Sequence, residues 1–276
     1  MTKKILFAVL LIFCSFGVAS AEIWAVKTDA TNNTNSIINI NPFTGVVTSS
    51  FNAPNYASGN TNMGLAGWKN ALYYTNADSN NGTVYIINPT NGNVSSSFTV
   101  SGGWGMDGLG YFSNASGSWI YTSGCSVDDV HRYQAANGSS PQFYWSDVSN
   151  PLSMAGDNGG AIYTVGNVGG KFGIWEMDPL ADNNATWFGN SPSENIVGMA
   201  YDGKYLYLSD TDGKLFTMNN SGQLVNTLNV GYNLYALGST EGSGNKVPLP
   251  PAAWLLISGL TGLVGMRRRI NNILNM

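Results

Sequence analysis

Histidine and cysteine are nearly missing from this sequence, and several kinds of chemistry go with them. His131 is the single histidine in 276 residues, and the two cysteines are Cys14, inside an apolar N-terminal stretch, and Cys125. A zinc site needs several nitrogen or sulfur ligands in one place, which one His and one Cys cannot supply. Once the segment holding Cys14 is removed, Cys125 has no partner for an intramolecular disulfide, so the fold must stand on its apolar core. His131, beside Asp128-Asp129 and before Arg132, reads as a polar strand residue rather than a general base. Charge is scarce too. Only 10% of residues are charged, so solubility has to come from the abundant Asn, Ser, Thr and Gly. Between Glu22 and Lys246, sixteen acidic residues face seven basic ones, a net charge of −9. Such a surface argues against nucleic acid or anionic lipid as a partner and suits calcium or neutral glycans.

Long apolar runs occur at the two ends, and each carries an address. Lys3-Lys4 precede the stretch from Ile5 to Val18, and Ala19-Ser20-Ala21 is a small-x-small cleavage site before Glu22. Residues 1–21 therefore read as a secretory signal peptide and are left out of the fold. Phe13 before Cys14 speaks against lipidation, which wants a small residue there. Near the C-terminus, Val247-Pro248-Leu249-Pro250-Pro251 leads into the apolar run Ala252–Met266 and then Arg267-Arg268-Arg269. That run is 15 residues, or 18 from Leu249, against the roughly 20 that span a bilayer. Such a length suits a transient anchor, with the arginines holding its end on the cytoplasmic side. An ordinary unprocessed anchor is the alternative.

This tail resembles the PEP-CTERM sorting signal, with Val247, Pro248, Leu249 and Pro250 as its motif and Arg267, Arg268 and Arg269 as its basic stop. Leu249 stands where that family most often has Glu, and Ile270–Met276 runs on past the usual basic ending. The resemblance implies export and recognition by an exosortase, a membrane enzyme of Gram-negative bacteria that make exopolysaccharide. The destination it implies is the cell surface or an extracellular matrix. Residues 247–271 form the tail, preceded by a linker at 240–246.

Helical spacing is absent between these ends, and a short module recurs instead. An aliphatic-aromatic pair opens a strand at Ile23-Trp24, Leu72-Tyr73, Ile120-Tyr121, Ile162-Tyr163 and Leu206-Tyr207, at intervals of 49, 48, 42 and 44 residues. A period near 45 is what four short strands and their turns require in a propeller blade. Turns such as Pro42-Phe43-Thr44-Gly45 and Pro89-Thr90-Asn91-Gly92 follow the second strands, with proline and glycine at the corners a tight turn favours. Ahead of the later pairs lie Met- and Gly-rich strands: Met63-Gly64-Leu65, Met106-Asp107-Gly108-Leu109, Met154-Ala155-Gly156 and Met199-Ala200-Tyr201. Small residues there fit an innermost strand, where blades converge on an axis. Ile23-Trp24 lacks such a strand ahead of it, and Leu234–Gly238 lacks outer strands after it. Joined, they give twenty strands in five blades, so residues 22–239 are expected to form an all-β, five-bladed β-propeller closed by its C-terminal strand. A solenoid or a sandwich is the rival. The modules resemble the YVTN/PQQ-like propeller superfamily, whose loose motifs occur in proteins of many functions.

Groups able to do chemistry are few. Some propellers hydrolyse lactones with a carboxylate-bound calcium in the central channel, and Asp107, Asp157 and Asp202 are the residues here that could hold one. Asp202-Gly203 and Asp157-Asn158-Gly159 also read as ordinary hairpin turns. Two loops space oxygen ligands as calcium sites do, Asn76–Gly82 and the one holding Asp210 and Asp212, and both suit plain turns as well. No adjacent cysteine pair is present for a quinone cofactor. Trp68, Trp104, Trp119, Tyr144, Trp145 and Trp187 could stack on sugar rings, although most propeller aromatics pack between blades. Trp104, between Gly103 and Gly105, is the first choice for a ligand contact. The expectation is an exported, non-enzymatic binding or scaffolding propeller whose partner is a polysaccharide or an envelope protein. The alternative is a calcium-dependent, lactonase-like hydrolase.

Overall fold

The computed structural model describes residues 23–240 apart from short stretches at 30–31, 33, 56–62, 77–80, 102–105, 107, 124–129, 140–141, 145–146, 158–159 and 182–183. The expected signal peptide, the sorting motif and its arginines therefore lie outside the described residues. Every element described is a strand, and twenty are arranged in five antiparallel sheets of four.

Blade 1 joins the two ends of the domain: β20 (Leu234–Ser239) is innermost, followed outward by β1 (Ile23–Asp29), β2 (Thr34–Ile40) and β3 (Val47–Asn52). The pairing of β20 with β1 runs from Ile23 opposite Ser239 to Lys27 opposite Leu234. Blade 2 is β4 (Gly64–Trp68), β5 (Ala71–Thr75), β6 (Asn81–Ile87) and β7 (Val94–Ser101). Blade 3 is β8 (Gly108–Asn114), β9 (Gly117–Ser123), β10 (Val130–Gln134) and the short β11 (Gln142–Tyr144). Blade 4 is β12 (Met154–Gly156), β13 (Ile162–Val168), β14 (Lys171–Met177) and β15 (Ala185–Gly189). Blade 5 is β16 (Ile196–Tyr201), β17 (Tyr205–Asp210), β18 (Lys214–Asn219) and β19 (Leu224–Asn229). Each innermost strand touches the innermost strands of both neighbouring blades, and β16 touches β20 to complete the circle. The protein is a five-bladed β-propeller.

Burial explains why the second strands read as continuous apolar runs. In β1 the first four residues are all buried. Side chains alternate across a strand, so Ile23 and Ala25 enter the apolar cluster shared with blade 5, while Trp24 and Val26 enter the one shared with blade 2. Similar clusters fill the other three junctions. Outermost strands face water and read differently: β3 is Val-Thr-Ser-Ser-Phe-Asn, exposed at all but Phe51. Such short, polar outer edges discourage further strand pairing.

The outer turns owe their shape to a residue just before the expected corner. Asn41 Oδ1 accepts the amides of Phe43 and Thr44, and Gly45 closes the turn at φ 74°. Asn88, Asp178 and Asn219 repeat the device, accepting the amides of Thr90, Leu180 and Ser221 through Oδ1. Near the axis the glycines answer to crowding. A Cβ on Gly67 would overlap the Ser239 carbonyl, and one on Gly156 would overlap the Tyr111 carbonyl. Both are backbone atoms of the next blade, so the obstacle cannot rotate away. Gly156→Ala should therefore destabilise the domain by about 3 kcal/mol. Gly110→Ala, whose Cβ would come no closer than 3.3 Å to a neighbour, should cost no more than about 1 kcal/mol. Thermal melts of the two variants check the ranking.

Candidate functional site

The axis of the ring is nearly filled. A small pocket lined by residues of all five inner strands, among them Leu65, Tyr111, Ala155, Ala200 and Leu237, encloses about 10 Å³, room for roughly one water molecule. Ligand-sized space lies elsewhere.

Of the channel carboxylates expected from the sequence, Asp107 lies outside the described residues, while Asp157 and Asp202 directly follow β12 and β16. Asp202 organises its own hairpin: Oδ1 accepts the amides of Lys204 and Tyr205 at 2.8 and 2.7 Å, and Oδ2 accepts the Tyr207 hydroxyl at 2.7 Å. Asp157 sits near Glu176, Tyr163 and Tyr201. Burial, and then the charge of Asp157, raise the Glu176 carboxyl above the usual glutamate range. Burial likewise pushes Tyr201 up to about 12, with Asp157 adding to it, and lifts Tyr163 still further. These phenols keep their protons at physiological pH and can donate but not act as bases.

In the other acidic loop, Asp210 is fully buried and its Oδ1 accepts the amides of Asp212 and Lys214, both at 3.0 Å. The Asp212 carboxylate lies 3.5 Å from Lys214 Nζ at the surface. Within the Asn76–Gly82 loop, residues 77–80 lie outside the described residues. Among the described residues no three His, Cys, Asp or Glu side chains gather closely enough to hold a metal ion. His131 is buried on β10 and stacks against Tyr133.

The aromatics divide in the same way. Trp68 stacks on Tyr111 and Trp119 on Phe112, while Trp187 meets Trp175 edge-on beneath Lys171 Nζ, which sits 3.2 Å from its ring centroid. Trp104, Trp145 and the Tyr144 side chain lie outside the described residues.

A cleft the sequence did not point to opens between blades 1 and 2, with a volume of about 440 Å³. Blade 1 contributes Trp24, Asn39 and Thr48, and blade 2 contributes Lys69, Asn70 and Thr90 from two of its turns. Thr48 Oγ1 donates to Asn39 Oδ1 at 2.8 Å, fixing one wall. The Trp24 ring lies 5.6 Å from Phe51. Phe51 is in turn covered by the blade 2 turn at Gly92, where a Cβ would come within 2.6 Å of its ring.

Trp24 occupies the repeat position filled by Tyr73, Tyr121, Tyr163 and Tyr207 in the other blades. Two of those tyrosines have clear acceptors: Tyr121 donates to the Pro179 carbonyl at 2.6 Å and Tyr207 to Asp202. Trp24 Nε1 is shielded and has no acceptor among the described residues. The only signal of this in the sequence was a tryptophan where the other copies of the repeat have tyrosine.

No family model matches the chain. No curated protein matches it. Among solved structures it is similar to BamB from Moraxella catarrhalis, at 12% identity and a TM-score of 0.38, over 79% of this chain and 61% of that one. The chain thus spans about three-fifths of that structure's length.

The Asp157–Glu176 neighbourhood makes a pH dependence testable. The fold favours the protonated form of Glu176, so its contribution to stability is present at low pH and is lost as pH rises through the raised pKa. Glu176→Gln should therefore raise the melting temperature at neutral pH, with the gain fading below the ordinary glutamate range. A melt series from pH 4 to 8 checks this, and an equal or lower melting temperature at neutral pH would contradict it.

Proposed function

We propose that this chain is an exported, non-enzymatic propeller of the bacterial cell envelope or extracellular matrix that binds polysaccharide, delivered there by an exosortase acting on its C-terminal tail. The observation that carries the binding role is the inter-blade cleft. Amides and hydroxyls of Asn39, Thr48, Asn70 and Thr90 line it beside Lys69, and it is of a size ordinary for small-ligand sites. Hydroxylated sugars offer acceptors and donors in the same dense mixture. Secretion and sorting rest on the sequence of residues 1–21 and 247–271, with Val247-Pro248-Leu249-Pro250 and the three arginines as the features that an exosortase of the PEP-CTERM type would read.

The calcium-dependent hydrolase reading has weaker support. Asp202 gives both carboxylate oxygens to its own hairpin, and the axis has no room for a lactone beside a metal.

Three measurements test the proposal. The full chain should bind exopolysaccharide from the producing organism saturably, and calcium should leave its melting temperature unchanged. Deleting residues 247–276 should move the protein from the envelope fraction into the medium. Absence of polysaccharide binding would remove the assigned ligand class, and unchanged retention at the envelope would remove the role of the tail.

A further inference from the structure

We infer that the face of the ring at which the chain enters and leaves rests on a zwitterionic lipid bilayer while the C-terminal tail holds the protein there. This depends on the reading of residues 247–271 as a membrane anchor, and adds which surface of the propeller meets the lipid.

The first observation is where the exposed apolar side chains lie. Among the described residues seven large ones are exposed, by 43% to 62%. Blade 1 has Phe43, Val46 and Val47, blades 2 and 4 have Val94 and Leu180, and blade 5 has Leu224 and Val225. All seven fall in the turn between a blade's third and fourth strands, or in the first two residues of that fourth strand. Apolar residues scattered singly over a surface need no explanation. Confinement to one kind of turn in four blades does.

The second is that these turns share a face with the innermost hairpins. In an antiparallel sheet of four strands, the first and third turns lie at one end and the second turn at the other. Side-chain contacts join the two sets. Phe43 meets Tyr205 edge-on, with ring centroids 5.7 Å apart, and the Tyr201 hydroxyl donates to Asn220 Oδ1 at 3.3 Å. Tyr201 and Tyr205 flank the innermost hairpin of blade 5, while Phe43 and Asn220 belong to third turns.

The third is where the chain joins the ring. Ser239, the last residue of β20, pairs with Ile23, so both ends of the domain lie at this same face. The apolar runs Ile5–Val18 and Ala252–Met266 are both attached here. From Ser239 to Ala252 is a step of thirteen residues, which reaches at most about 45 Å when fully extended.

The polar groups suit such a boundary. Lys204 Nζ lies 4.7 Å from the centroid of the Tyr205 ring, and lysine and tyrosine both place an apolar body beside a polar tip. Asp178 and Asp202 accept amides of their own turns. The net charge of −9 across the domain favours zwitterionic over anionic lipid.

The test uses the exported chain, Glu22 to Met276, carrying Cys125→Ser, in phosphatidylcholine vesicles. Flotation with the vesicles reports the anchor. An NBD fluorophore on Val46→Cys, Leu180→Cys or Leu224→Cys reports this face, and one on Thr211→Cys, between β17 and β18, reports the opposite face. The first three labels should shift to the blue and be quenched by nitroxide-bearing lipid, and the Thr211→Cys label should do neither. Adding Val46→Ser and Leu180→Ser, both at exposed positions, should remove most of the quenching at Leu224→Cys without changing flotation. Flotation with every label in water, or with quenching at Thr211→Cys, overturns the inference and leaves the anchor standing. A blue shift that nitroxide lipid does not quench assigns the face to a second copy of the chain and overturns the lipid contact. Absence of flotation overturns the anchor and the inference together.

Discussion

Five blades can share one axis only if the backbones of their inner strands come almost into contact. At Gly67 and Gly156 a single added carbon would meet a carbonyl of the neighbouring blade, and the remaining space on the axis is about that of one water molecule. Everything else in the ring follows from this crowding. The strands beside the axis are short of side-chain volume. The second strands therefore carry the apolar mass, on both faces, and each blade is held by the two clusters it shares with its neighbours. Polar residues collect on the outermost strands and in the turns, where water can reach them.

The same crowding keeps ligand-sized space away from the axis. A wide propeller can seat a ligand or metal in its channel, but here the inner strands meet first. Among the described residues, space opens toward the rim, where turns of one blade approach the outer strands of the next. The cleft between blades 1 and 2 is such a place, and its chemistry depends on the details of two hairpins rather than on the repeat. The corresponding position in blade 4 shows how far two copies of one module can diverge: Tyr163 lies opposite Glu176 there, Trp24 opposite Asn39 here.

Spacing in the sequence made the architecture legible. The aliphatic-aromatic pairs recur near every 45 residues, and the orphan half-modules at Ile23 and at Leu234 fit each other across the chain. Both follow from backbone geometry, which repeats. The turns were only partly legible, because proline and glycine drew the eye while Asn41, Asn88, Asp178 and Asn219 do the hydrogen bonding. The cleft was not legible at all. Trp24 looks like every other strand-opening aromatic until its neighbours are known, and Lys69 and Thr90 are brought to it from turns 45 and 66 residues away. Asp202 and Asp210 show the converse: residues suited to a cation by spacing are engaged by the amides of their own turns.

Pairing of β20 with β1 gives the ring a clasp, and that has a consequence for how the protein comes to be. The first strand of the domain is completed by the last, so a chain emerging from its N-terminus cannot close its core until Ser239 has appeared. Until then β1 presents an unpaired inner edge, and the cluster between blades 1 and 5 lacks Leu234 and Leu237. Long-range closure of this kind slows folding, and it ties completion of the ring to the arrival of the domain's last strand.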